Sequence, residues 1–416
     1  MPGPLDGVRI LDFTSMVSGP LATMMLGDQG ADVIKIEAPS GDHVRRVATR
    51  RGGFSASFLI NNRNKRSIVL DLKKEAGLRA VRRLIASADV VVQNFRPGVA
   101  DRIGIGEAAA REVNPKIIYV SIAGFGDTGP YAEKPVFDPL IQAVSGLTTV
   151  QAGSDEQRPR LVRTILPDKL TGVQAAQAIA AALFARERTG EGQHIKLSML
   201  DTVVSFLWSS DMGGHTFVGD ELDKEVAQSF IDLIYETRDG HVSVAVMQDK
   251  EWQAFAAAVD QPELLDDPRF KTATLREENK DERLGAMQEA IRQFKSDEII
   301  ARLEAKDVPC APVLTRREMI RHPQIEANEL IEEYDHPQSG KLRFARHPAR
   351  FSETPTSVRH PAPVLGNKTR EILEQNGFSS QEIADLEDQG AAHQAVENET
   401  DDAVMVSTSE QRGNAA

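Results

Sequence analysis

The sequence predicts an α/β protein: a large, Rossmann-like, doubly wound domain followed by a smaller α+β domain. Three observations predict it. Two short apolar runs, Val8–Phe13 and Ala31–Glu37, flank a helical segment, Leu21–Gln29, as a β–loop–α–β unit. The alternation continues through Ser67–Leu72, Lys73–Ser87, Asp89–Gln93 and Lys116–Ile122. Beyond Leu200 the rhythm changes, and a hairpin signal at Arg238-Asp239-Gly240 joins two strand-like runs, with amphipathic helices after them.

In order along the chain, Val8–Phe13 opens as a strand, and Thr14–Gly19 is a loop of small residues. Pro20 suits the first position of a helix, and Gly30 stops it. No G-x-G-x-x-G follows the first strand, so the motif for a nicotinamide or flavin is missing. The loop from Pro39 to Gly53 carries Arg45, Arg46, Arg50 and Arg51, each of which reads singly as a solvated cation. Lys73–Ser87 is an amphipathic helix with Leu78, Val81, Leu84 and Ile85 on one face. The valine-rich strand Asp89–Gln93 runs into Asn94-Phe95-Arg96-Pro97-Gly98, with Arg102 soon after. Ligands of open parallel sheets bind at the carboxyl ends of strands, where these side chains could grip phosphates or a carbonyl. A plain Pro/Gly turn is the alternative.

After the strand Lys116–Ile122 come a Gly-rich loop, a helix from Asp138 to Gly146, and the run Leu161–Leu166 that leads to Asp168. Val173–Glu187 is the clearest helix, rich in alanine, the best helix former. So many small side chains predict a second backbone packed close against it. Asp168 stands just ahead of that helix. It reads either as an N-terminal cap or as a carboxylate nucleophile held beside free N–H groups.

The expected organisation is a large domain over residues 1–208, a linker over 209–227 and a small α+β domain over 228–320. A long connector over 321–363, C-terminal helices over 364–389 that pack back on the large domain, and a disordered acidic tail over 390–416 complete it.

The chain has 416 residues, 41% hydrophobic and 27% charged, with a net charge of −13 that argues against a nucleic-acid surface. The single cysteine, Cys310, cannot form an internal disulfide. No signal peptide or membrane-length apolar run is read, so a cytoplasmic protein with no membrane partner is expected. H-E-x-x-H and paired-cysteine spacings are absent, so no metal site is expected, and neither a Walker loop nor a G-x-S-x-G elbow occurs. His43 and His215 read as surface histidines in loops.

An ordered set of short motifs carries a family resemblance. It comprises Leu11-Asp12-Phe13-Thr14 with Gly19-Pro20, Gly30 through Glu37, Asn64 through Ser67, Leu70 through Lys73, and Asn94 through Gly98. Asp138 with Gln142-Ala143, Asp168 with Gly172, Arg186 through Gln193, Asp267 through Phe270 and Val308 through Val313 follow. From Pro4 to Glu387 the chain resembles the class III CoA-transferases, which include formyl-CoA transferase and the carnitine and bile-acid CoA-transferases.

The resemblance implies that CoA moves from an acyl-CoA donor to a free carboxylic acid. Asp168 would be the nucleophile, passing through a mixed anhydride and an aspartyl-CoA thioester. It implies CoA contacts at Leu70, Lys73, Asn94, Phe95, Arg96, Arg102 and Asp138; Arg45 is added on its charge alone. It implies no prosthetic group, with coenzyme A and acyl-CoA as substrates, and a homodimer of two interlocked ring-like protomers. Val17 and Ala38 stand where formyl-CoA transferase has glutamine and arginine, and no Gly-rich small-domain loop matches. These departures count against oxalate or formate specificity. Val17 and Phe137 predict a more apolar acyl pocket, for a larger or less charged acid.

Two rival readings exist. An α-methylacyl-CoA racemase needs a second acid/base, and racemases of this family place a histidine just before the residue matching Asp138; here it is Phe137. A non-catalytic CoA-binding protein would keep the basic loops without needing an ionised Asp168.

Overall fold

The computed structural model describes residues 2–221 and 233–395. The chain divides into two compact units, Met1–Ala227 with Leu330–Ala416, and Gln228–Glu329.

The first unit is mixed α/β, built on a seven-stranded, mostly parallel sheet. Its strands are β1 (Arg9–Asp12), β2 (Asp32–Glu37), β3 (Lys65–Leu70), β4 (Val90–Gln93), β5 (Ile118–Ala123), β6 (His194–Ser198) and β7 (Ala392–His393). They lie in the order β7-β3-β2-β1-β4-β5-β6. Strands β1 to β6 pair in parallel, and β7 joins antiparallel at the edge, with Ala392 opposite Leu70. The order reverses at β1, so the loops after β1 and β4 emerge side by side. In open parallel sheets such a reversal is where ligands are held.

Strand residues alternate between two faces, and both faces are covered, which is why the strands are apolar almost throughout. Leu11, Ile34, Ile68, Val91 and Tyr119 face Ala80, Val81 and Leu84 of helix Glu75–Ala86 and Ile372 and Ile383 of the C-terminal helices. Ile10, Val33, Val90, Val92, Ile118 and Val120 face two long helices, α1 (Ser18–Asp28) and α2 (Leu166–Thr189). The second unit holds a three-stranded antiparallel sheet with helices around Trp252, Phe255, Phe270 and Met287.

Several boundaries differ from the sequence expectation. Helix α1 begins at Ser18 rather than Leu21, and α2 begins at Leu166, so Asp168 lies inside the first turn rather than ahead of it. The 321–363 stretch carries an antiparallel hairpin, Ile331–His336 with Gly340–Ala345. The expected acidic tail is packed structure as far as residue 395: β7 completes the sheet edge, and Ala391, Ala392 and Ala395 are buried. Small residues with no large apolar anchor hide a strand whose partner is remote in sequence. The rest of that tail, 396–416, and residues 222–227 of the expected linker lie outside the described residues.

The same alternation puts Asp12, Lys35, Glu37, Lys65 and Ser67 on the face that bears Ile10 and Val33. There they form a buried ionic network. Lys65 Nζ donates to Asp12 Oδ2 (2.9 Å), Pro20 O (2.9 Å) and Asn62 Oδ1 (2.8 Å). Lys35 Nζ reaches Asp42 Oδ2 at 3.1 Å and Thr14 O at 2.8 Å. Arg45 grips Glu37 through two bonds, 2.9 and 2.7 Å long. Burial pushes the Asp12 carboxyl up, but the Lys65 and Lys35 ammoniums, helped by Thr14, outweigh it and hold it well below the usual carboxylate range.

Lys65→Met tests the network. It leaves the buried Asp12 carboxylate without its nearest cation, at an expected cost of about 3–5 kcal/mol in urea unfolding. A loss below about 1 kcal/mol would mean the site collapses around a neutral acid instead.

Candidate active site

Asp168 is placed by two helices that approach each other closely. It lies in the first turn of α2, next to Pro167, and is half-buried. The backbone N–H and hydroxyl of Ser18, the first residue of α1, lie near its carboxylate and favour the charged form. The acid therefore sits at the amino end of α1, where unpaired N–H groups and the helix dipole favour negative charge. Gly172 permits the approach: a Cβ there would lie 2.8 Å from Ser18 O and 3.0 Å from Leu21 Cδ2. Ala175, Ala176 and Ile179 carry the contact onward against Ala22 and Leu26, which explains the small-residue composition of α2.

A second acid stands behind the first. Asp138 opens the helix Asp138–Val144 and is buried. Its Oδ2 accepts from the Asp168 N–H at 3.2 Å, and its Oδ1 accepts from Gln142 Nε2 at 2.6 Å. Burial raises the Asp168 carboxyl most, the Asp138 charge adds to it, and the Ser18 bonds pull the other way; the result is pushed up to about 6. Such a carboxylate is ionised at neutral pH and more basic than a free one, as an oxygen nucleophile should be.

The loop between β1 and α1 is held in place from both sides. Ser15 N donates to Asn94 Oδ1 at 2.9 Å, and Asn94 Nδ2 donates to Ser15 O at 2.8 Å. Met16 takes φ of 69°, sparsely populated for a side chain of its kind, and its N–H is held by Asp42 Oδ1 at 3.2 Å.

The structure separates the sequence candidates into groups. Lys73, Arg96 and Arg102 are exposed, and Phe95 is half-buried against the core. Asn94 is spent on Ser15. Three of the candidates lie inside the protein. Leu70 is fully buried in the sheet core. Arg45 is fully buried and paired with Glu37, because the loop folds back over β2 instead of standing in solvent. Asp138 has both oxygens engaged inside the protein. Val17 is buried and Phe137 is exposed.

Neither Ser18 nor Gln142 stands out in the sequence as a site residue. Gln142 lay within a matched motif and Ser18 between two, which is the signal that marks both. A cavity of about 240 Å³ beside the 94–98 loop is lined by Phe95, Arg96, Tyr119, Ser121 and His194. Among the described residues no group of three His, Cys, Asp or Glu side chains could hold a metal ion, and no helix is long and apolar enough to cross a membrane.

A model of CoA-transferase family III matches residues 5–369. The chain is 33% identical over 380 residues to a human succinyl-CoA:glutarate CoA-transferase, covering 89% of this chain and 86% of that one. It is 31% identical over 411 residues to a formyl-CoA:oxalate CoA-transferase of Streptomyces avermitilis, covering 94% and 100%. Among solved structures, a CAIB/BAIF family protein from Brucella suis superposes with a TM-score of 0.80 at 32% identity, covering 90% and 100%.

Gly172→Ala separates packing from helix propensity. Propensity alone favours alanine by about 1 kcal/mol. The clash with a backbone carbonyl reverses the sign, and the expected thermal-denaturation result is a loss of about 1–3 kcal/mol. A stabilised variant would show that α1 and α2 separate freely.

Proposed function

The chain belongs to CoA-transferase family III, and from that premise we propose that Asp168 carries the acyl group during transfer. The protein is an acyl-CoA:carboxylate CoA-transferase. What carries the reading of Asp168 is its setting: a half-buried carboxylate at the amino end of α1, raised to about 6 and still ionised at neutral pH.

The proposed course is as follows. One Asp168 oxygen attacks the donor thioester carbonyl and expels CoA thiolate, leaving a mixed anhydride. The thiolate attacks the aspartyl carbonyl, releasing the donor acid and leaving aspartyl-CoA thioester. The acceptor carboxylate attacks that thioester, and the returning thiolate takes the acceptor acyl group away as the new acyl-CoA. Each step exchanges one activated carboxyl for another, so the barriers stay low without ATP. Ser18, beside the Asp168 carboxylate at the start of α1, would hold one of its oxygens and aim the other.

For CoA phosphates we propose the exposed cations Lys73, Arg96 and Arg102. For the acceptor we propose a dicarboxylic acid longer than oxalate. Relatives at 33% and 31% identity are named for succinate and glutarate, and exposed Arg163 and Lys169 flank Asp168 in the sequence.

We further propose a homodimer of interlocked, Rossmann-like protomers. Phe137, Leu140, Val144, Val173, Phe184, Phe206 and Trp208 are all exposed, an amount of apolar surface that points to a partner. Light scattering after size exclusion should give twice the chain mass; a monomer would contradict it.

Asp168→Ala and Asp168→Asn should each lower transfer by about three orders of magnitude or more with the circular dichroism unchanged. Hydroxylamine added during turnover should leave a hydroxamate on Asp168 in the wild type. The ionised acid is the reacting form, so kcat/KM should climb as pH rises through about 6 and level off above it. Wild-type turnover by either variant, or an acid limb absent from that range, would contradict the assignment. Exchange of the α-proton in D₂O without an acceptor acid would favour a racemase instead.

A further inference from the structure

We propose that Asp138 and Gln142 are positioning residues for the transfer reaction, a pair that fixes the start of α2 and holds a negative charge behind Asp168. The inference rests on the reading of Asp168 as the nucleophile.

Gln142 is buried, and its one amide serves two elements. Its Nε2 donates to Asp138 Oδ1 at 2.6 Å and lies 3.3 Å from Thr164 O, while its Oε1 accepts from Val162 N at 2.9 Å. The segment that delivers Asp168 is thus pinned at residues 162 and 164, and then at 168 through the 3.2 Å bond from the Asp168 N–H to Asp138 Oδ2. Misplacing a reacting oxygen by about 1 Å can cost about a hundredfold in rate, so this clamp bears on chemistry.

Geometry calls for two acceptors at position 138, one for Gln142 Nε2 and one for the Asp168 N–H, and a carboxylate supplies both where an asparagine would turn its NH2 toward one of these donors. The same group brings a negative charge up to Asp168. The charged groups around Asp168 are few. Asp138 faces it from the helix Asp138–Val144, and Ser18 on α1 contributes donors but no charge. Lys169, next in the chain, turns its ammonium to Thr164 Oγ1 at 2.8 Å. Among the described residues Asp138 is the one neighbouring charge that raises the Asp168 carboxyl, second only to burial. A more basic carboxylate is a better nucleophile once ionised.

The test compares full-length wild type, Asp138→Asn, Gln142→Met, Gln142→Glu and Asp168→Ala. It measures kcat, KM for acyl-CoA and the pH profile of kcat/KM. Asp138→Asn should move the acid limb to lower pH by roughly one unit and lower the plateau. Gln142→Met should lower kcat about tenfold to a hundredfold, with KM within about twofold and the acid limb in place. Gln142→Glu keeps the acceptor for Val162 but sets a like charge against Asp138, so it should lose kcat too and guards against a misfolded methionine variant. An Asp138→Asn profile superimposed on the wild type, or wild-type kcat in both Gln142 variants, overturns the inference. Transfer by Asp168→Ala would instead show that the nucleophile reading had failed. An inactive Asp168→Ala beside an unchanged Asp138→Asn sinks this inference alone.

Discussion

Everything at the site depends on charges that are out of water and still satisfied. Asp12, Lys35, Glu37, Asp42, Arg45 and Lys65 are all buried, and each finds an opposite charge within hydrogen-bond reach. Desolvating such groups is costly, and attraction offsets the cost only where the remaining donors and acceptors are also used. They are: Thr14, Pro20, Asn62 and Ser67 take the rest. The network anchors the β1–α1 loop at Thr14 and, through Asp42, at Met16. Ser18 follows two residues later. The position of Ser18 is thus set by buried ionic pairs.

That rigidity gives the close approach of α1 and α2 its chemical meaning. Gly172 lets the helices touch, and the touch brings the Asp168 carboxylate to the first N–H of α1. Two opposed influences then act on it. Burial and Asp138 disfavour its charge, while Ser18 favours it, and the balance falls near neutrality. Stronger donors would give a carboxylate too weakly basic to attack. Deeper burial would give one that stays protonated.

Much of the architecture was legible in the sequence because hydrophobic periodicity is a local property. Strands β1 to β5 follow from runs of Val, Ile and Leu, and α2 from its alanines. Asp168 stood out through family resemblance, since spacing alone left capping open. What stayed hidden depends on neighbours distant in the chain. Arg45 looked like a free loop cation because the sequence does not show Glu37 turned toward it across a folded-back loop. The β7 strand looked like tail because its partner, β3, lies some three hundred residues earlier. Asn94 looked like a ligand contact, and its match to both backbone groups of Ser15 exists only after the sheet order has reversed at β1. Asp138 and Gln142 gain a role only when the 162–168 segment folds over them.

In the proposed reaction the Asp168 carboxylate exchanges its own oxygen with the acids it activates. A single-turnover experiment with an acceptor acid labelled with ¹⁸O in its carboxylate tests this directly, read by mass spectrometry of the peptide that contains Asp168. After turnover the Asp168 side chain should carry one heavy oxygen. Full conversion of the acceptor to its CoA thioester with no label in that peptide would contradict it.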